Sequence, residues 1–126
     1  MKYLGIDYGT KWVGVAISDE DGSFAFPKAI FETPDALSSI DALCKLESVG
    51  SIVIGESVAT NGQPNDLANA VNIFRAKLAM ATEIPIFFER EGFSTVEAHR
   101  YQVVAGRRDD SAAAIILQRF LDKQKK

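Results

Sequence analysis

At 126 residues, 47% of them hydrophobic and 25% charged, the chain has the size and composition of one soluble globular domain spanning 1–126. A single cysteine excludes an internal disulfide and a cysteine-built metal cage, and no apolar run approaches the roughly 20 residues of a membrane span. The net charge of −3 argues against indiscriminate nucleic-acid binding, although Arg100, Arg107, Arg108, Arg119, Lys123, Lys125 and Lys126 make the last stretch of an acidic chain basic.

The opening run Leu4-Gly5-Ile6-Asp7 reads as a strand over 2–7 that ends in a carboxylate. A tight Gly9-Thr10 turn leads into a second strand over 12–18. A carboxylate at the end of a rigid strand, with an open turn beyond it, suits a metal or phosphate site. The same pattern fits a hairpin whose Asp merely starts the turn. Because Asp7 interrupts the apolar start, the N-terminus is not organised as a signal peptide, and a reducing cytoplasm is the expected compartment.

Asp19-Glu20-Asp21-Gly22 turns the chain into a third strand over 23–31, where Pro27 predicts an edge position or a bulge. Thr33-Pro34-Asp35 starts a helix with Thr33 as N-cap; Leu37, Ile40, Leu43 and Leu46 form its apolar face, Cys44 joins its core, and Gly50 stops it. Ser51–Glu56 is a short apolar run of the kind buried on both faces of a parallel sheet. A loop over 57–65 precedes a helix carrying Leu67, Val71, Phe74 and Leu78, and Ile84–Phe88 is a fifth strand. Ser94 and Glu97 have capping-box spacing, and Asp109-Asp110-Ser111 opens a last helix running through 112–121. Trp12 and the eight Phe read as core, and His99 as a surface residue.

This order predicts an α/β fold: a mixed five-stranded sheet, made of a three-strand antiparallel meander plus two parallel strands, flanked by helices. Right-handed crossover connections put the strand at 51–56 parallel to the first and beside it.

Acids cluster at the ends of these elements. Asp7 and Glu56 both end apolar strands, and if these are parallel neighbours, about 4.8 Å apart, the two carboxylates project from the same rim. Two carboxylates so close persist readily with a cation between them, and hard Mg²⁺ prefers such oxygen ligands. Glu89 and Glu91 follow the fifth strand with shared parity, and Asp109 stands at a helix N-terminus whose dipole favours the ionised form. Plainer roles are open to each: Asp109 or Asp110 as an N-cap, Glu56 as a solvated loop residue, Glu97 as a cap. The lone His99 has no partner by spacing, so neither a Ser-His-Asp triad nor a histidine metal site can be assembled.

Gly5-Ile6-Asp7-Tyr8-Gly9-Thr10-Lys11, followed by Gly14–Asp19, resembles the opening of the YqgF/RuvX family. Ile52–Gly55, Ser94–Ala98 and Asp109 leading into Ala113–Gln118 agree in order along nearly the whole chain. The resemblance implies an RNase H-like fold and the activity described for that family, Holliday junction resolution or pre-16S rRNA processing. By position, the family's first-strand and last-helix acids are Asp7 and Asp109. The family's Asp-Glu-Arg-Leu reads Arg90-Glu91-Gly92-Phe93 here, so only Glu91 matches, with Glu89 one position earlier as a substitute. Where the family commonly has Leu-Pro-Leu after Gly55, this chain has Glu56-Ser57-Val58, an acid where the related RuvC resolvases carry one.

The resemblance thus implies a metal-dependent endonuclease with Asp7, Glu56 and Asp109 as ligands of Mg²⁺ or Mn²⁺ and Glu91 as a fourth ligand or helper. Lys11, Arg107 and Arg108 are the candidates for substrate phosphates. The expected partner is structured RNA or branched DNA, with no membrane, and a monomer or weak homodimer. The rival reading is a non-catalytic nucleic-acid or ribosome-assembly binding module. An Asp-x-Gly-Thr opening also occurs in actin-like and sugar-kinase ATPases, which need two such domains where this chain supplies one.

Overall fold

The computed structural model describes residues 1–56, 66–90 and 109–124, except for the side chains at 56, 90 and 109–111. In chain order these form β1 (Lys2–Tyr8), β2 (Trp12–Ser18), β3 (Ala25–Glu32), α1 (Thr33–Glu47), β4 (Val49–Glu56), α2 (Asp66–Thr82), β5 (Ile86–Arg90) and α3 (Asp109–Gln124). The expected helix from Ser94, with Glu91, His99, Arg107 and Arg108, lies outside the described residues.

The five strands form one sheet in the order β3-β2-β1-β4-β5. β1–β2 and β2–β3 are antiparallel, whereas β1–β4 and β4–β5 are parallel, as the sequence predicts. β3 is an edge strand, and its register slips where Val15 faces Ala29 but Ala16 faces Pro27, so Pro27 sits at both an edge and a bulge.

Strict alternation divides the core in two. Leu4, Ile6, Ile52 and Ile54 face α1 and α2, packing with Ile40, Cys44, Val71, Phe74 and Leu78. Val53 and Ala16 face the opposite way, against Ala113, Ile116, Leu117 and Leu121 of α3. Strands β1 and β4 are apolar on both faces because helices cover both.

Several boundaries differ from expectation. Thr33 does not cap α1: the cap position is Glu32, which makes no side-chain cap bond, and the Thr33 hydroxyl is drawn away to the β1–β2 turn. α1 ends at Ser48 in the left-handed conformation (φ 55°), so Gly50 belongs to β4, where the Met1 side chain lies over it. Leu46 is exposed, because the buried stripe follows Ala36, Ile40 and Cys44. Trp12 is not core, and the described phenylalanines divide: Phe74 is buried and Phe31 and Phe120 pack against the core, while Phe24 just before β3, Phe26 on edge β3 and Phe87 and Phe88 on edge β5 are exposed.

Candidate active site at the carboxyl end of β1

Asp7 is half-buried near the end of β1 and pairs across the ladder with Gly14 of β2. Its neighbours fix the direction it takes. Tyr8 turns to the α1–α2 side, where its ring lies 5.0 Å from that of Phe74. By alternation Asp7 shares the other face with Tyr3 and Gly5, the face covered by α3.

The path of α3 over β1 follows from three contacts. The ring of Phe120 is 5.9 Å from Tyr3. A Cβ on Gly5 would stand 2.7 Å from Leu117 Cβ and 3.0 Å from the Ala113 carbonyl oxygen, so only glycine lets the helix lie this close. As β1 runs from Tyr3 to Gly5, α3 therefore runs backwards from Phe120 to Ala113. Asp7 is two residues past Gly5, about 7 Å along the strand. Asp109, the first residue of α3, is one turn before Ala113, about 6 Å along the helix. The backbone thus carries the Asp7 and Asp109 positions to the same end of the same face.

The turn after Asp7 is held rigidly. A Cβ on Gly9 would fall 2.6 Å from the Trp12 carbonyl oxygen, so the turn closes tightly there. The Thr33 hydroxyl donates to the Gly9 carbonyl (2.8 Å), and the Thr33 N–H donates to the Lys11 carbonyl (2.9 Å). Lys11 itself is exposed at the tip.

The other expected acids fall differently. Ile6 pairs with Ile54, so one row on Asp7 is level with Gly55, and Glu56 is a row beyond, paired with Arg90. Glu89 is inside β5, level with Gly55, rather than past the strand. Only 3% exposed, it meets Lys123 Nζ at 2.7 Å and Arg119 Nε at 3.6 Å, so two cations of α3 hold it. Among the described residues no three His, Cys, Asp or Glu side chains converge as a metal cage. Asp7 and Asp109 are hard oxygen donors of the kind that suits Mg²⁺ or Mn²⁺.

Sequence reasoning missed Trp12, which is 47% exposed. Alternation could have found it: with Val13, Val15 and Ile17 turned to the α1–α2 core, Trp12 falls on the opposite face at the outer end of β2.

Residues 1–123 match the family described as "RuvX: Holliday junction resolvase". The chain is 38% identical over 132 residues to the "Putative pre-16S rRNA nuclease" of Maridesulfovibrio salexigens, covering 96% of this chain and 98% of that one. It is 38% identical over 124 residues to the protein of the same name from Dehalococcoides mccartyi, covering 91% and 93%. In fold it is similar to Thermus thermophilus RuvC bound to a Holliday junction, with a TM-score of 0.64 at 16% identity over 99% of this chain and 96% of that one. The fowlpox virus resolvase in complex with junction DNA gives 0.63 at 11% identity over all of both chains. At those identities the two structures show the shared RuvC-like, RNase H-type fold alone.

Proposed function

The chain belongs to the RuvX family of Holliday junction resolvases, and from that premise we propose that it is a metal-dependent endonuclease cutting phosphodiester bonds in structured nucleic acid. The observation that carries the reading is the convergence of β1 and α3, which brings the Asp7 and Asp109 positions to one end of one face. Asp7 and Asp109 are the ligands we assign, with Glu56 or Glu91 as the third. Mg²⁺ or Mn²⁺ held there would lower the pKa of an attacking water and stabilise charge on the phosphate and leaving oxygen. The chain's own part is to keep Asp7 fixed on a rigid strand and to offer cations, Lys11 from the locked turn and Arg107 and Arg108 just before α3, to the phosphates flanking the cut.

A ribosomal RNA precursor is the substrate we favour. The relatives named for that activity are 34–38% identical over nearly the full length, whereas the junction-bound structures share the fold at 11–16%. Holliday junction cutting is the alternative within the same chemistry. A non-catalytic nucleic-acid binding module is the rival reading, and the same assay separates the two.

The test is cleavage of end-labelled pre-16S rRNA fragments and four-way DNA junctions with Mg²⁺ or Mn²⁺, comparing the native protein with Asp7→Asn and Asp109→Asn. Loss of a direct ligand should exceed the roughly 10- to 100-fold effect of altering a ligand's supporting partners. Glu56→Gln and Glu91→Gln then identify the third donor by which loses cleavage. Equal behaviour of native protein and Asp7→Asn, with tight binding and no cutting, would establish the binding module instead.

A further inference from the structure

We propose that Trp12 is a stacking platform for an unpaired nucleobase next to the phosphate that Asp7 serves, so that the substrate is single-stranded or unstacked at the cut. The position of the phosphate rests on the nuclease reading above; the stacking itself does not.

Three observations carry the assignment. First, Asp7 pairs directly with Gly14, which makes Trp12, two residues earlier in β2, its diagonal neighbour on the same face. Diagonal neighbours lie about 7–8 Å apart, within reach of an aromatic side chain and of the order of one nucleotide's length. Second, Trp12 is 47% exposed although the chain has a core able to take large apolar groups, so its ring offers a face to solvent at the rim of the site. Third, the ring is carried on a preorganised base: the two bonds from Thr33 and the closure at Gly9 hold residues 9–12, so little ordering remains to be done when a base arrives.

Charge sets the direction of approach. Exposed Lys11 precedes Trp12, while the residue opposite Trp12 on β3 is Glu32, also exposed. Lys11 thus offers a polyanion a positive charge next to Trp12 in the chain, while Glu32 repels one from the β3 side. An aromatic face beside a cation is the combination by which single strands are held without sequence preference. A continuous duplex keeps its bases stacked inside and cannot offer one to the ring, so the proposal selects loops, single-stranded flanks and opened junction centres.

Because Trp12 is the only tryptophan in the chain, its fluorescence reports on this contact alone. The experiment titrates the native protein, in EDTA to prevent cutting, with a 12-nucleotide single-stranded RNA and with a blunt duplex of the same sequence. Binding is followed in parallel by anisotropy of a label on the nucleic acid. The proposal expects the single strand to quench Trp12 in step with binding and the duplex to leave it unchanged. Trp12→Ala should weaken single-strand binding by about 5- to 150-fold, Trp12→Phe should largely restore it, and Trp12→Leu, apolar but without a π-face, should not. Circular dichroism confirms that each variant is folded.

Saturating binding with no quench, or Trp12→Leu binding as tightly as native protein, overturns the proposal. Cleavage by Asp7→Asn separates the two claims. If Asp7→Asn cuts like native protein and Trp12 is still quenched, the nuclease assignment falls and the platform stands. If cutting depends on Asp7 and Trp12 stays silent, the platform falls and the nuclease stands.

Discussion

Gly5 of β1 and Leu117 of α3 pack so closely that a Cβ on the glycine would stand 2.7 Å from the leucine Cβ, with the Ala113 carbonyl oxygen of the same helix 3.0 Å away. Neither obstructing atom can be moved by a rotamer change, since one is a Cβ and the other is backbone. Gly5→Ala must therefore displace α3. Overpacking of this kind costs about 1–3 kcal/mol, readable as a lower urea midpoint with an unchanged slope. Cleavage should fall by more than the loss of folded protein explains, because the displaced helix carries Asp109. Full activity in a folded Gly5→Ala protein would mean that the spacing of β1 and α3 does not set the site.

Thr33 ties α1 to the turn behind Asp7 through two bonds, one from its hydroxyl to Gly9 and one from its N–H to Lys11. Thr33→Val keeps the branched shape and the backbone bond but deletes the hydroxyl. The expected loss is about 1 kcal/mol of stability in urea unfolding, with the Gly9 carbonyl left to water. KM for nucleic acid should rise as residues 9–12 loosen. An unchanged KM would show that the backbone bond alone holds the turn.

Glu89 is buried with 3% exposure, whereas its partners Lys123 and Arg119 are 61% and 25% exposed. That asymmetry predicts which side of the cluster is dangerous to remove. Replacing both Arg119 and Lys123 by Met strands a carboxylate in the interior and should cost about 3–5 kcal/mol. Glu89→Gln keeps an oxygen that can accept from Lys123, whose ammonium also reaches water, and should cost roughly 1–2 kcal/mol. Chemical denaturation of the variants gives the order directly. If Glu89→Gln abolished cleavage without touching stability, Glu89 would belong to the metal site and not to the clamp on α3.

Cys44 is the only cysteine and is buried in α1, where desolvation, helped by the charge of Asp41, pushes its thiol up to about 11. The thiolate is the reactive form, so native protein should resist a disulfide reagent at pH 8 and react fully once unfolded. Labelling rate against urea concentration then measures opening of the α1 core. Fast labelling of native protein would contradict the packing described.

Much of this was legible in the sequence because the signals were local and periodic. The β1 and β4 runs alternate inside apolar stretches, Pro27 marks the edge bulge, and Leu67, Val71, Phe74 and Leu78 lie along one stripe of α2. What failed depended on partners far away in the chain. Thr33 has the chemistry of an N-cap, but a carbonyl 24 residues earlier claims its hydroxyl. Glu89 looks like a rim acid until β5 proves to run on through Arg90 and α3 supplies its cations. Trp12 has the composition of a core residue, and only the parity of β2 reveals that it faces outward. Asp7 was legible as a strand-end acid, while its relation to Asp109 depends on the direction of α3, which no spacing encodes.

The ends of the sheet make stability depend on pH in both directions. Asp19 is held below its ordinary value of 3.8 by the N–H groups of Ser23 and Phe24, which bond its Oδ1 at 2.8 and 3.2 Å. Glu47 is held below its ordinary 4.5 by hydrogen bonds from Lys2 and Lys28, at 2.9 and 3.4 Å. For both, the unfolded chain takes up its proton at higher pH than the folded one. Their contribution is therefore whole above the ordinary values and is lost as pH falls through the lowered ones. Lys2 behaves oppositely: its hydrogen bond to Glu47 raises it above 10.5, so its contribution is present below that value and is lost as pH rises through the raised one. Tm against pH should show a plateau with an acid and an alkaline limb. Lys2→Met should flatten the alkaline limb and shrink the acid one, whereas Asp19→Asn should touch the acid limb alone. High salt weakens the Lys2–Glu47 charge pair at the surface's edge but not the Asp19 turn bonds, so part of the acid limb should survive it. An acid limb erased entirely by salt would mean that the Asp19 turn contributes nothing to it.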